Sequence, residues 1–304
     1  MKNNNKFNFF KNSVLLSNHV LIRNYCPYKI EYKKNYTLDD TFKLLISFLN
    51  EFQNDYCDIF SMSINNNLNI LPDSSTPFFE GVDSSINIPI TNTLQDSYNL
   101  LHEFLHLTNY IKEKKETRDE FGEFISILSE VLFERFLIKN NIDEALIESN
   151  NRLLCLNSTS VKLLYVDEIY RNMKLNKNTN NDKIYEIFMN KYRGANLIPE
   201  NSFKIYTQAN EEILEDVKFV MGCLLSYYLK YELDDLKLKE ILVTLNSNIN
   251  KYDIYEFYRE MSLYLKNDYL SYDSLNKLYK SFDKECYENF NKVYKRYLWE
   301  KLLL

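Results

Sequence analysis

Apolar positions along the first third of the chain change period several times. From Ser13 to Tyr36 they alternate, with a break at Pro27, which predicts one or two short strands. Thr37 and Asp40 then precede Phe42, Leu45, Ile46, Leu49 and Phe52 at helical spacing. That pattern reads as a capping box and a helix ending near Asn54. Three short apolar runs follow, Ile59–Ile64, Leu68–Leu71 and Ile86–Ile90, separated by Asn65-Asn66-Asn67 and by the Pro- and Ser-rich stretch 72–85. They predict a small sheet. Thr93 with Asp96 caps a helix running to about Lys112. Another is expected from Arg118 to Lys139, with Phe121, Phe124, Ile125, Leu128, Val131 and Leu132 on its apolar face. Beyond it the spacing stays helical over 142–155, 159–174, 181–193, 208–232, 235–247, 252–267 and 271–303. The fold class is therefore mainly α with a small β-sheet. Any internal boundary falls near Ile90, between a mixed part, 1–90, and a helical part, 91–304. No Gly-, Pro- or Ser-rich linker marks it, so one continuous domain is expected.

The chemistry concentrates where two of the 3 histidines meet, in His102-Glu103-Phe104-Leu105-His106. Residues four apart stack on one helix face, so both imidazoles can reach one metal ion. Glu103 stands beside them as a general base for water activated by that metal. A catalytic zinc needs a third protein ligand. The remaining histidine, His19, lies far upstream and reads as a strand or surface residue. On the next helix Glu123, Ser126 and Glu130 share one side, and a carboxylate there is costly to bury without a partner or a cation. Glu116 and Glu120 compete for the same role from nearer the charged loop 112–116.

These residues resemble a family. The run from Ile86 to His106, with Asn92 and Asp96 ahead of the first histidine, is similar to the approach to the zinc helix in thimet oligopeptidase and oligoendopeptidase F. The spacing of Glu123, Ser126 and Glu130 resembles that family's second helix. The resemblance implies a zincin-like, neurolysin-like helical metallopeptidase holding one Zn2+ on His102, His106 and Glu123, with Glu103 as base. Asp96, and Ser126 or Glu130, then become partners that orient the imidazoles. Leu105 stands where the family has glycine, and Asn109 where a further histidine is common. Gly222 followed by Tyr227-Tyr228 resembles a later motif whose His and Tyr stabilise the oxyanion, but Lys218 and Lys230 fall at those positions. Tyr227 is the match in place, with Tyr206, Tyr228 and Tyr231 in reach. The similarity covers mainly 78–231, about a catalytic half.

The implied substrate is an oligopeptide or an unstructured protein segment. Phe78 to Ile90, including Phe79 and Gly81, is placed to hold a peptide along a strand edge, or else the sheet only covers the core. The alternative to an enzyme is a zinc-holding binding module of weak activity, favoured by Lys218 and Lys230. An aminopeptidase of related chemistry ranks lower, since no Gly-x-Met-Glu-Asn segment is present. The net charge of -6, without a block of like charge, argues against nucleic acid as a partner. The 4 glycines form no phosphate loop. The 5 cysteines are widely spaced and include no CxxC pair, as suits reduced thiols in the cytoplasm. The basic N-terminal stretch is too short and polar for a bilayer span and a poor signal peptide, which leaves export without a signal open.

Overall fold

The computed structural model describes residues 35–113 (all but 53, 73, 74 and 82), 120–149, 181–191 and 210–246, with single positions between 151 and 165 and between 273 and 292. The expected strands of 13–36, His19, and the helix of 252–267 fall outside these residues, apart from Asn35 and Tyr36. Helix α1 (Leu38–Phe52) begins at the anticipated capping box. The Asp40 N–H donates to Thr37 Oγ1 at 3.2 Å while the Thr37 N–H donates to Asp40 Oδ2 at 3.0 Å. Its buried side chains, Thr41, Leu45, Phe48, Leu49 and Phe52, follow the helical repeat.

Helix α2 (Asn54–Asn67) takes the place of the first predicted strand. The run Ile59–Ile64 alternates only because Ser61 and Ser63 separate its apolar residues. The buried set is instead Tyr56, Phe60 and Ser63, at steps of four and three, while Met62 is 73% exposed. Tertiary packing decides the matter: Phe60 meets Phe104 edge-on, with ring centroids 5.0 Å apart, and Tyr56 approaches the same ring.

Strands β1 (Leu68–Leu71), β2 (Phe78–Glu80) and β3 (Ser85–Pro89) form one sheet in the order β1-β3-β2. β1 runs parallel to β3 with Leu68 opposite Ile86, and β2 runs antiparallel with Phe79 opposite Ile86. β3 is thus paired on both sides, and the sheet's two edges belong to β1 and β2. The stretch Phe78–Ile90 is therefore two strands and a turn, not a single open edge. The sheet leans on helix α3 (Gln95–Glu113), where Phe79 packs on Tyr110 at 5.6 Å.

Helix α4 (Glu120–Lys139) lies against α3 on one side and against α6 on the other. Helix α5 (Asn181–Lys191) buries Ile184 and Phe188, with Phe188 against Tyr165. Helix α6 (Asn210–Glu232) passes α4 closely at Gly222, where a Cβ would stand 3.1 Å from Ile127 Cδ1 and 3.3 Å from the Phe124 nitrogen. Arg135 then donates to the Leu233 carbonyl at the end of α6 and pairs with Asp235 at the start of α7 (Asp235–Asn246). Residues 144–149 and the described positions from 273 to 292 are helical. Among the described residues the architecture is mainly α with one three-stranded sheet. Among the described residues no helix is long and apolar enough to cross a membrane.

Candidate metal centre

The site is built from the turn that delivers β3 into α3. Asn92 adopts a left-handed backbone, φ 56°, and the Asp96 carboxylate secures it. That carboxylate accepts the Thr91 and Asn92 N–H groups at 3.1 and 2.8 Å and the Thr91 hydroxyl at 2.7 Å. Thr93 offers its carbonyl to the Asp96 N–H at 3.1 Å, and its hydroxyl bonds Thr91. Asp96 is thus the lock of the helix entry. With its oxygens engaged there it does not orient an imidazole, contrary to the expectation from sequence.

Two turns further along, His102 and His106 point their Nε2 atoms at each other, 3.2 Å apart. Glu123, from α4, reaches both: one carboxylate oxygen lies 3.5 Å from His102 Nε2 and the other 3.4 Å from His106 Nε2. Two imidazoles and a carboxylate with converging lone pairs form a donor set suited to zinc. Ligand distances of about 2.0–2.1 Å around a tetrahedral ion place neighbouring donor atoms about 3.4 Å apart, close to each of these separations, and one ligand atom from each of the three residues lies within 4.8 Å of the others. Burial would lower the His102 pKa, but the Glu123 carboxylate outweighs it and the net shift is upward. Burial works against the charge of Glu123 as well, yet the two imidazoles hold its pKa well below the usual carboxylate range.

The neighbours settle several expectations. Glu130, 3% exposed, accepts from His102 Nδ1 at 2.9 Å, which directs the Nε2 lone pair at the triangle. Ser126 donates to the His102 backbone carbonyl at 3.3 Å, so it braces the helices and leaves the ring alone. Glu103 is buried beside the ligands, and its charge is felt at His102. Among the described residues no hydrogen bond or ion pair engages the Glu103 carboxylate.

Several other candidates belong to α6 and to the sheet. Tyr227, 1% exposed, lines a small cavity with Ile127, Glu130, Glu134, Arg152 and Cys223, and burial raises its phenol pKa. Tyr228 belongs to the helical core. Phe79 is buried against Tyr110, and Gly81 lies in the turn after β2. Tyr206 and Glu116 lie outside the described residues. Lys230 is committed elsewhere, 2.8 Å from Glu134 and 2.5 Å from Glu285. Tyr231 donates to the same Glu285.

Arg152 was missed from the sequence. It pairs with Glu130 and lays its guanidinium over the Tyr98 ring at 4.5 Å. Nothing in its local context, Asn151-Arg152-Leu153, distinguishes it from a surface arginine. Cys57, Cys155 and Cys223 are free thiols, as expected. No family model, curated protein or solved structure matches the chain.

Proposed function

We propose that this protein is a zinc-dependent endopeptidase acting on oligopeptides or an unstructured protein segment, built on a zincin-like helical scaffold. The observation that carries the reading is the convergence of His102 Nε2 and His106 Nε2, 3.2 Å apart, on the Glu123 carboxylate, which turns one oxygen to each imidazole at 3.4–3.5 Å, with Glu103 alongside. When bound, zinc supplies Lewis acidity toward a carbonyl and lowers the pKa of water toward neutrality. Glu103 takes the proton from the attacking water and passes it to the leaving amine. Glu130 holds His102 in the tautomer that leaves Nε2 free. The free edge of β2 offers backbone groups to an extended peptide without reading its sequence.

The test is Glu103→Gln. The variant is expected to hold one zinc as the unaltered protein does and to lose cleavage of a quenched peptide library by about a hundredfold or more, the scale of general-base catalysis. Turnover retained at the unaltered rate refutes the base. A second reading, a zinc-holding peptide-binding module with little turnover, draws on two observations: Lys230 is paired with two carboxylates, and Tyr227 is enclosed in the core. Chelator-sensitive cleavage by the unaltered protein separates the two.

A further inference from the structure

We infer that Arg152 is a positioning residue of the metal centre, acting through Glu130 to fix the direction in which His102 presents Nε2. The inference rests on the zinc reading above and extends it to a residue that touches neither metal nor substrate.

The two oxygens of Glu130 are divided between two tasks. Oε1 accepts from His102 Nδ1 at 2.9 Å, and Oε2 pairs with the Arg152 guanidinium. A carboxylate held at both ends cannot swing about its terminal torsion, which is otherwise broad. Arg152 is itself wedged. Its guanidinium stacks on Tyr98 at 4.5 Å, and Tyr98 sits one turn before His102 on the stripe that continues through His106. One cation therefore spans from α3, through Tyr98, to α4, through Glu130, directly behind the first ligand. A lysine's point charge lacks the planar fork that can stack and pair at once. Glu130 is buried and the Arg152 side chain is 22% exposed, so water reaches the carboxylate poorly if the guanidinium is removed.

The experiment titrates zinc into the full-length, metal-free protein against a chromogenic chelator, and records 15N spectra of histidine-labelled protein. With 3 histidines in the chain, the His102 ring can be assigned by its loss in a His102→Gln control. Arg152→Gln is expected to weaken zinc about tenfold to a hundredfold, the range seen when partners behind a ligand are removed. The His102 ring should shift from the Nδ1–H tautomer toward a mixture, a change that general loosening of the core would not direct to one ring. Adding Glu130→Ala to Arg152→Gln should cost no more than Glu130→Ala alone, because both act along one path. Zinc affinity within twofold and an unchanged His102 tautomer in folded Arg152→Gln would overturn the inference, as would losses that multiply in the double variant. Should Arg152→Gln fail to fold, Arg152→Lys carries the same test: a smaller loss in the same direction supports the role, and no loss overturns it. If the unaltered protein binds no zinc, the metal reading falls and takes this inference with it. If it binds zinc and is indifferent to Arg152, this inference alone falls.

Discussion

At one end of α4, Glu123 faces two imidazoles and, among the described residues, no lysine or arginine. Three turns along the same helix, Glu134 faces Lys230, which also holds Glu285. Burial alone would lower the Lys230 pKa, but the two carboxylates overcome it and raise it, while Glu285 is held below its usual value by Lys230. The second cluster carries its own counter-charge and closes on itself. In the first, the donors converge on one another, and in the metal reading proposed above a bound cation supplies the compensating charge. Glu148 shows the third outcome available to a buried carboxyl. Burial, opposed only by a hydrogen bond from Asn151, pushes its pKa up to about 8, so it stays neutral. One helical core thus holds an acid with a built-in cation, an acid set between two imidazoles and an acid that keeps its proton.

The contrast can be broken most forcefully at the closed cluster. Lys230→Met leaves Glu134 and Glu285 buried without their cation and is expected to cost about 3–5 kcal/mol, read as a fall in the urea midpoint, with or without zinc. A variant as stable as the unaltered protein would show the network to be dispensable. At the open cluster the effect should appear in metal affinity instead. Structural zinc sites release about 10–16 kcal/mol through four ligands, so Glu123→Gln should weaken zinc by at least about a hundredfold. The same change should move the metal-free midpoint less than Lys230→Met does. Equal effects on metal-free stability would erase the distinction between the clusters.

The smallest effect concerns the neutral acid. Folded Glu148 keeps its proton to about pH 8, whereas an unfolded Glu releases it near 4.5, so the folded state binds more protons between those values. Its contribution is complete below pH 4.5 and is lost as pH rises through 8. Glu148→Gln should therefore flatten the pH dependence, removing a loss of about 2 kcal/mol between pH 5 and 7 in denaturant titrations. Parallel curves for the two proteins would contradict a buried neutral carboxyl.

Much of the centre was legible in the sequence because it is local. His102 and His106 stand one turn apart, and Glu123 and Glu130 two turns apart on the next helix, and α-helical periodicity alone puts each pair on one face. The capping box of Thr37 and Asp40 was legible for the same reason. What periodicity could not reach were outcomes decided between elements. Ile59–Ile64 became helix because Phe104 receives Phe60. Asp96 was recruited by the backbone of Thr91 and Asn92, a turn geometry with no periodic signature. Arg152 lies 22 positions beyond Glu130 in the chain, and only the tertiary arrangement makes them partners. The pairing of Lys230 with Glu285, 55 positions apart, was hidden in the same way.

The clamp at Asp96 sets the rotational phase of the ligand helix. Because β3 is pinned on both flanks and the Thr91-Asn92 elbow is tied to that carboxylate, His102 emerges about 1.7 turns past a fixed origin. The azimuth of both imidazoles is thus inherited from the sheet. Inserting a single residue into α3 between Asp96 and His102 would swing them by about 100° and aim them at a different wall of the protein.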